Sequence, residues 1–256
     1  MTDTPTESNS ASCGDRYALW VWSVPILLIA AITLTYILSP AFYLKYVLSA
    51  KERELQAVEI ITFASAFLGG ILLTWAAWKA WRQGAQSGKS GLKGRGGAFI
   101  VGIIALASIF FAGEEISWGQ SYFGWKTPKA YKQVSVETNL HNTKINVNAM
   151  GSVFLVVMFF GLPIVWKTNW PVKPPADWRF AIAEGPVVFS MACAFAWKEV
   201  KYTYRWFNPD YEEAEFYLEF LDQFNEHKEM LVAVTLLMYG VYRLKAGRSI
   251  KSIEQS

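Results

Sequence analysis

The chain has 256 residues, 53% of them hydrophobic and 16% aromatic, and a net charge of only +3. Its apolar residues come in long blocks and not at amphipathic spacing, a membrane composition that leaves only loops and tails as polar stretches and excludes a folded soluble domain. Two cysteines, Cys13 and Cys193, point to neither a disulfide framework nor a thiolate metal site, and phosphate-binding glycine loops, nucleophile elbows and Cys-x-x-Cys pairs are absent from the sequence.

Residues 1–16 are polar, rich in Ser and Thr and mildly acidic. They lack the basic region and cleavage site of a secretory signal, so they are expected to form a disordered cytoplasmic tail ahead of a retained first anchor. Cys13 has no apolar run before it, which argues against lipoprotein acylation. Six blocks long enough to cross a bilayer follow: 17–39, 57–78, 98–118, 149–166, 180–197 and 225–242. The expected fold is all-α, a polytopic six-helix transmembrane bundle over 17–243 with a basic cytoplasmic tail at 244–256.

The loop after the second block carries Lys79, Arg82, Lys89, Lys93 and Arg95 without a single acid, and Gly and Ser make it a flexible linker. Basic loops stay in the cytoplasm, so this one orients the chain in its membrane with both termini inside. The loop 169–175 and Arg243, Lys245, Arg248 and Lys251 share that side. These cations suit topology or anionic lipid better than nucleic acid, so the bilayer is the first partner. Trp20, Trp22, Trp75, Trp78, Trp118, Trp166, Trp178, Trp197 and Trp206 fall near block ends, as an aromatic belt requires.

The third block ends in Gly113-Glu114-Glu115-Ile116-Ser117-Trp118-Gly119-Gln120. An acid at the centre of a span costs about 2.5–3.5 kcal/mol on insertion scales, so such residues face a bundle interior, a cavity or a partner. Alternating spans bring other rare polar groups to the same outer side: Glu59 at the start of the second, His141 in Asn139-Leu140-His141-Asn142, and Glu226, His227 and Glu229 at the head of the sixth. Ahead of the sixth, Glu212, Glu215, Glu219, Asp222, Glu226 and Glu229 form one acidic stripe on a helix that Asn208-Pro209 would start. Part of that helix must lie on the interface or project outward, because a continuous run to Arg243 would be about 50 Å long. Glu212 and Glu215 fit a solvated face, and His227 points about 100° per residue away from Glu226 and fits a structural role as well as a chemical one. Glu184, beside a helix-bending Gly185-Pro186, belongs to the inner side and suits pairing with Arg179 or Lys167.

The string Gly-Glu-Glu-Ile-Ser-Trp-Gly-Gln, followed by Asn-Leu-His-Asn, resembles a group of uncharacterised multi-pass bacterial membrane proteins, a likeness over residues 113–142 that extends weakly to the regions of Glu59 and 225–229. It implies a shared site without a mechanism. A poorer likeness is to the CAAX-type intramembrane endopeptidases, in which Glu114 and Glu115 would match the Glu-Glu pair and His141 and His227 the later histidines. Gly119 stands where that signature has Arg.

The chemistry open to such a set is acid–base or metal-assisted. Glu114 and Glu115 with His141 are the catalytic candidates, with a Glu as base and His141 orienting or donating. Glu59, Glu115, His141, Glu226 and Glu229 are the candidate ligands of a divalent metal, with carboxylates suiting magnesium, calcium or manganese and imidazole admitting zinc or iron. Without metal, packed carboxylates cannot all ionise cheaply, and one would hold a proton. The sequence therefore reads as an integral membrane protein with an outward-facing Glu/His site, an enzyme acting on a lipid-like or membrane-embedded substrate. The alternatives are a proton- or cation-coupled transporter, with Glu184 as an inner station, and a non-catalytic subunit or sensor whose acidic stripe docks a membrane protein partner.

Overall fold

The structure is a computed structural model that describes residues 11–43, 47, 57–86, 95–116, 123, 147–169, 175–207 and 224–253. All secondary structure among the described residues is helical. The elements are α1 (Ala11–Leu38), a short α2 (Pro40–Phe42), α3 (Ala57–Gln86), α4 (Gly96–Glu115), α5 (Val147–Val156), a π-helical turn (Val157–Gly161), α6 (Leu162–Thr168), a 3-10 turn (Ala176–Ala181), α7 (Gly185–Phe207) and α8 (Phe224–Ile253).

Among the described residues, four helical stretches are long and apolar enough to cross a membrane: Trp20–Leu38, Ala57–Gly84, Gly96–Glu115 and Ala149–Thr168. They correspond to the first four expected blocks and make this a membrane protein by length and composition. Their outward faces carry apolar side chains such as Leu38 and Leu106, as contact with hydrocarbon demands. The other two expected blocks take different forms. The fifth is divided: the 3-10 turn ends at Ala181, Ile182 is extended, residues 182–184 are not helical, and the apolar part of α7 covers only Gly185–Trp197. The sixth lies inside the 30-residue α8.

α8 is the axis of the bundle. Met230, Leu231, Val232 and Ala233 are all buried in succession, so a whole turn is covered by neighbours and not by lipid. It packs along α3 and against α7, while α3 also packs along α4. Glycine makes the α3 contacts close. A Cβ on Gly69 would stand 2.9 Å from the backbone nitrogen of Leu237, and one on Gly240 would stand 3.1 Å from the Gly69 carbonyl oxygen. Gly70 faces α4, where a Cβ would meet the Ala105 carbonyl oxygen at 3.2 Å. Gly69-Gly70 therefore docks two helices onto an unbroken α3, the small-residue packing of membrane helices. The Ser108 hydroxyl adds a hydrogen bond from α4 to the Ala66 carbonyl of α3 at 2.7 Å.

Proline shapes two further joints. Pro25, inside α1, has no N–H to offer the carbonyl of Val21 four residues earlier. The Ser190 hydroxyl of α7 reaches that carbonyl at 2.8 Å and ties the two helices together. Pro163 equally deprives the Phe159 carbonyl of its α-helical donor, and the chain passes through the π-helical turn just before it. Pro186, by contrast, sits in the first turn of α7, where no donor is needed, so Gly185-Pro186 begins a helix and does not bend one.

The helices leave two chemically distinct ends. At the basic end, Asp177 of the 3-10 turn accepts from Gly96 N–H at 2.7 Å and caps α4, Tyr239 donates to the Ala181 carbonyl at 2.7 Å, and Arg243 donates to the Ile182 carbonyl. Lys79, Arg82 and Arg95 lie over the rings of Trp75, Trp78 and Trp81 on that same end. The opposite end collects acids.

Candidate functional site

The acidic end is built by three helices that arrive in alternating directions. α3 begins there with Glu59 in its first turn, α8 begins there with Glu226 in its first turn, and α4 ends there with Glu114 and Glu115. Glu226 and Glu229 are three residues apart and so share a face of α8. Carboxyl oxygens of Glu115, Glu226 and Glu229 lie within 4.8 Å of one another, all three half-buried. Glu59 adds a further negative charge near Glu115. Carboxyl groups packed this closely cannot all ionise cheaply.

Glu115 sits at the C-terminal end of α4, where carbonyl groups oppose it. Glu115 is thus the member most in need of a neutralising proton or cation. Oxygen donors from three carboxylates suit a hard divalent ion such as magnesium, manganese or calcium, so Glu115, Glu226 and Glu229 are the residues that could hold one.

A cavity of about 560 Å³ opens beside this cluster, lined by α4, α5 and α8. Its mouth is polar, formed by Glu114, Glu115, Lys228, Glu229 and Ser152, and its body is apolar, with Phe110, Phe111, Phe154, Leu155, Val232 and Leu236 among its walls. Lys228 Nζ donates to Ser152 Oγ at 3.0 Å and so bridges α8 to α5 across the mouth. Glu114 is only 3% exposed and stands behind Glu115 in the same wall.

Of the residues expected from the sequence, Glu59, Glu114, Glu115, Glu226 and Glu229 gather at this end. His141 and its Asn-Leu-His-Asn motif lie outside the described residues, as do Ser117 to Gln120, Asn208-Pro209 and the stripe members Glu212, Glu215, Glu219 and Asp222. His227 is fully buried, but both its ring nitrogens face away from the acids: Nε2 lies 2.6 Å from the Tyr43 hydroxyl and Nδ1 accepts from the Trp197 indole at 3.4 Å. An indole N–H can only donate, so Nδ1 is the bare nitrogen and the proton rests on Nε2, pointing to Tyr43. His227 therefore holds helices together. Glu184 is exposed at the head of α7, its carbonyl accepting from Val188 N–H, and it pairs with neither Arg179 nor Lys167.

Tyr43, Lys228, Ser152 and the cavity itself were not legible beforehand. Lys228 carried the one available signal, a lone cation inside Glu226-His227-Lys228-Glu229 beside an apolar run. Set against protein-family models, curated proteins and solved structures, the chain shows no match in any of the three comparisons.

Proposed function

We propose that this chain is a six-span enzyme of a bacterial inner membrane, with both termini in the cytoplasm and the acidic end facing outward, acting on a lipid-like or membrane-embedded substrate. The observation that carries the reading is the meeting of Glu115, Glu226 and Glu229 at the mouth of an apolar cavity between membrane-capable helices. Convergent polar groups at the rim of an apolar pocket are what an active site requires. α7 and α8 supply the fifth and sixth spans, α8 being shielded from lipid by α3 and α7 and so able to bear charge at its head.

Glu115 and Glu229, with carboxyl oxygens this close, take the roles of general acid and general base, with Glu226 and Glu59 holding the local field. A divalent cation across Glu115, Glu226 and Glu229 would supply the same polarisation to a substrate oxygen. The likeness of residues 113–142 to uncharacterised multi-pass bacterial membrane proteins accords with a common site, whereas the arrangement of His227 gives no support to a CAAX-type endopeptidase.

The test is a mass-spectrometric comparison of total membrane lipid and membrane peptides before and after incubation with the reconstituted protein and with Glu115→Gln. Turnover by the wild type, reduced about 10²–10⁴-fold in a variant that accumulates normally, is the expected result. Elemental analysis of the same two samples separates the routes, since a metal bound by the wild type and lost from Glu115→Gln assigns the cation route. Identical substrate profiles with and without the wild-type protein would sink the proposal.

A further inference from the structure

The cavity has the proportions of a lipid chain. Along α4 its lining runs from Ile103 to Glu115, about 18 Å at 1.5 Å per residue, close to one leaflet of a hydrocarbon core about 30 Å thick. At about 560 Å³ the cavity falls within the range of small-ligand sites. It opens sideways: the lining residues Leu106 and Met150 are 69% and 67% exposed, on helices whose outer faces meet hydrocarbon. α5 stands off from α4, and the fourth membrane-capable stretch joins the bundle mainly where its π-helical turn meets α7. The space between α4 and α5 is therefore a lateral slot.

Its mouth carries both signs of charge with acid in excess. Glu114, Glu115 and Glu229 face Lys228 and Ser152, with Glu226 joining the acids. A headgroup that carries both an ammonium and a phosphate is complementary in charge to such a rim, where Lys228 already donates to Ser152. We infer that the slot takes one acyl chain of an aminophospholipid from the outer end, with its zwitterionic headgroup at the Glu115–Glu229 mouth. This rests on the enzymatic reading in so far as it names the lipid as substrate, and it gives the substrate class that the reading leaves open.

Gly151 supplies the test. It lines the slot and is itself exposed, and a Cβ placed on it meets nothing within 4 Å, so a larger side chain there adds bulk at the slot without displacing a packed neighbour at its Cβ. The protein is reconstituted with equimolar phosphatidylethanolamine and phosphatidylglycerol of matched chains, re-extracted gently, and its retained lipid weighed by native mass spectrometry. The expected result is retention of phosphatidylethanolamine over phosphatidylglycerol by about tenfold, a similar loss of all retained lipid in Gly151→Phe, and loss of the headgroup preference alone in Glu115→Gln. Equal retention of the two lipids by the wild type, or undiminished retention in Gly151→Phe, overturns the inference. Should Gly151→Phe fail to accumulate, Ala107→Leu on the facing wall and the wild-type preference decide it. Selective retention without turnover removes the enzymatic reading and leaves the lipid site, and turnover that is indifferent to Gly151→Phe does the reverse.

Discussion

The hydroxyl of Tyr43 lies 2.6 Å from Nε2 of His227, a buried hydrogen bond between groups 184 residues apart in sequence. It fastens the segment that follows α1 to the first turn of α8, and Tyr36 packs edge-on against the Tyr43 ring at 5.3 Å. The acids of α8 are thus presented from a helix head whose opposite face is pinned. Positioning comes from one side of the helix and chemistry from the other.

Tyr43→Phe should therefore lower stability by about 1–3 kcal/mol, because it leaves the buried Nε2–H of His227 without its acceptor. Burial raises the Tyr43 phenol above its ordinary value of 10. Below pH 10 the phenol is neutral in both folded and unfolded chains, and its contribution is fully present. Above pH 10 the unfolded chain ionises first, so the wild type should lose stability more steeply than Tyr43→Phe. Thermal unfolding in detergent from pH 8 to 11 reads both effects, and parallel curves would contradict the pairing.

Ser190→Ala should destabilise by about 1–3 kcal/mol by orphaning the Val21 carbonyl that Pro25 cannot serve. Pro25→Ala restores a donor to that carbonyl within α1. The double variant should then recover most of the loss, and simple addition of the two effects would show that Ser190 acts otherwise.

At Gly69 and Gly240 the prediction concerns space. Gly69→Val must push α8 from α3 by the width of a methyl group or more, at a cost of about 1–3 kcal/mol or greater. Gly151→Ala, which enters open space inside α5, should not lower the unfolding temperature and should raise it slightly through helix propensity. Comparable losses at the two positions would refute the close approach of α3 and α8.

The acidic cluster should trade stability for function. Two like charges within 4.8 Å repel by up to a few kcal/mol at an effective dielectric of about 20. Glu226→Gln should raise the unfolding midpoint, by about 1 kcal/mol after screening, while lowering turnover. A drop in stability on removing this charge would mean that Glu226 is held by attraction, and the repulsive account of the site would fall.

The first four membrane-capable helices could be read from sequence because hydrocarbon imposes a length and an apolar composition that few other settings demand. The gathering of Glu59, Glu115, Glu226 and Glu229 followed from parity, since alternate spans begin and end on the same side. What neighbours decide stayed hidden. A Gly-Gly pair serves equally as a weak point or as a seat for another helix, and only the positions of Leu237 and Ala105 show which Gly69-Gly70 is. Gly185-Pro186 reads as a kink or a helix start until the non-helical residues 182–184 place it first in α7. Trp197 was assigned to the interfacial belt, and its indole instead meets His227, because position near a span end says nothing about which way a ring turns.

The central claim is that acids from separate helices form one site on one end of the bundle. Its most direct measurement is crosslinking in native membranes of a Glu115→Cys, Glu229→Cys double variant in a Cys13→Ser, Cys193→Ser background, using a bis-thiol reagent of short span. Rapid intramolecular linkage is the predicted result, with none for Glu59→Cys paired with Glu184→Cys, which lie at opposite ends. Failure of the first pair to link while both thiols react freely with a monofunctional reagent would contradict the account.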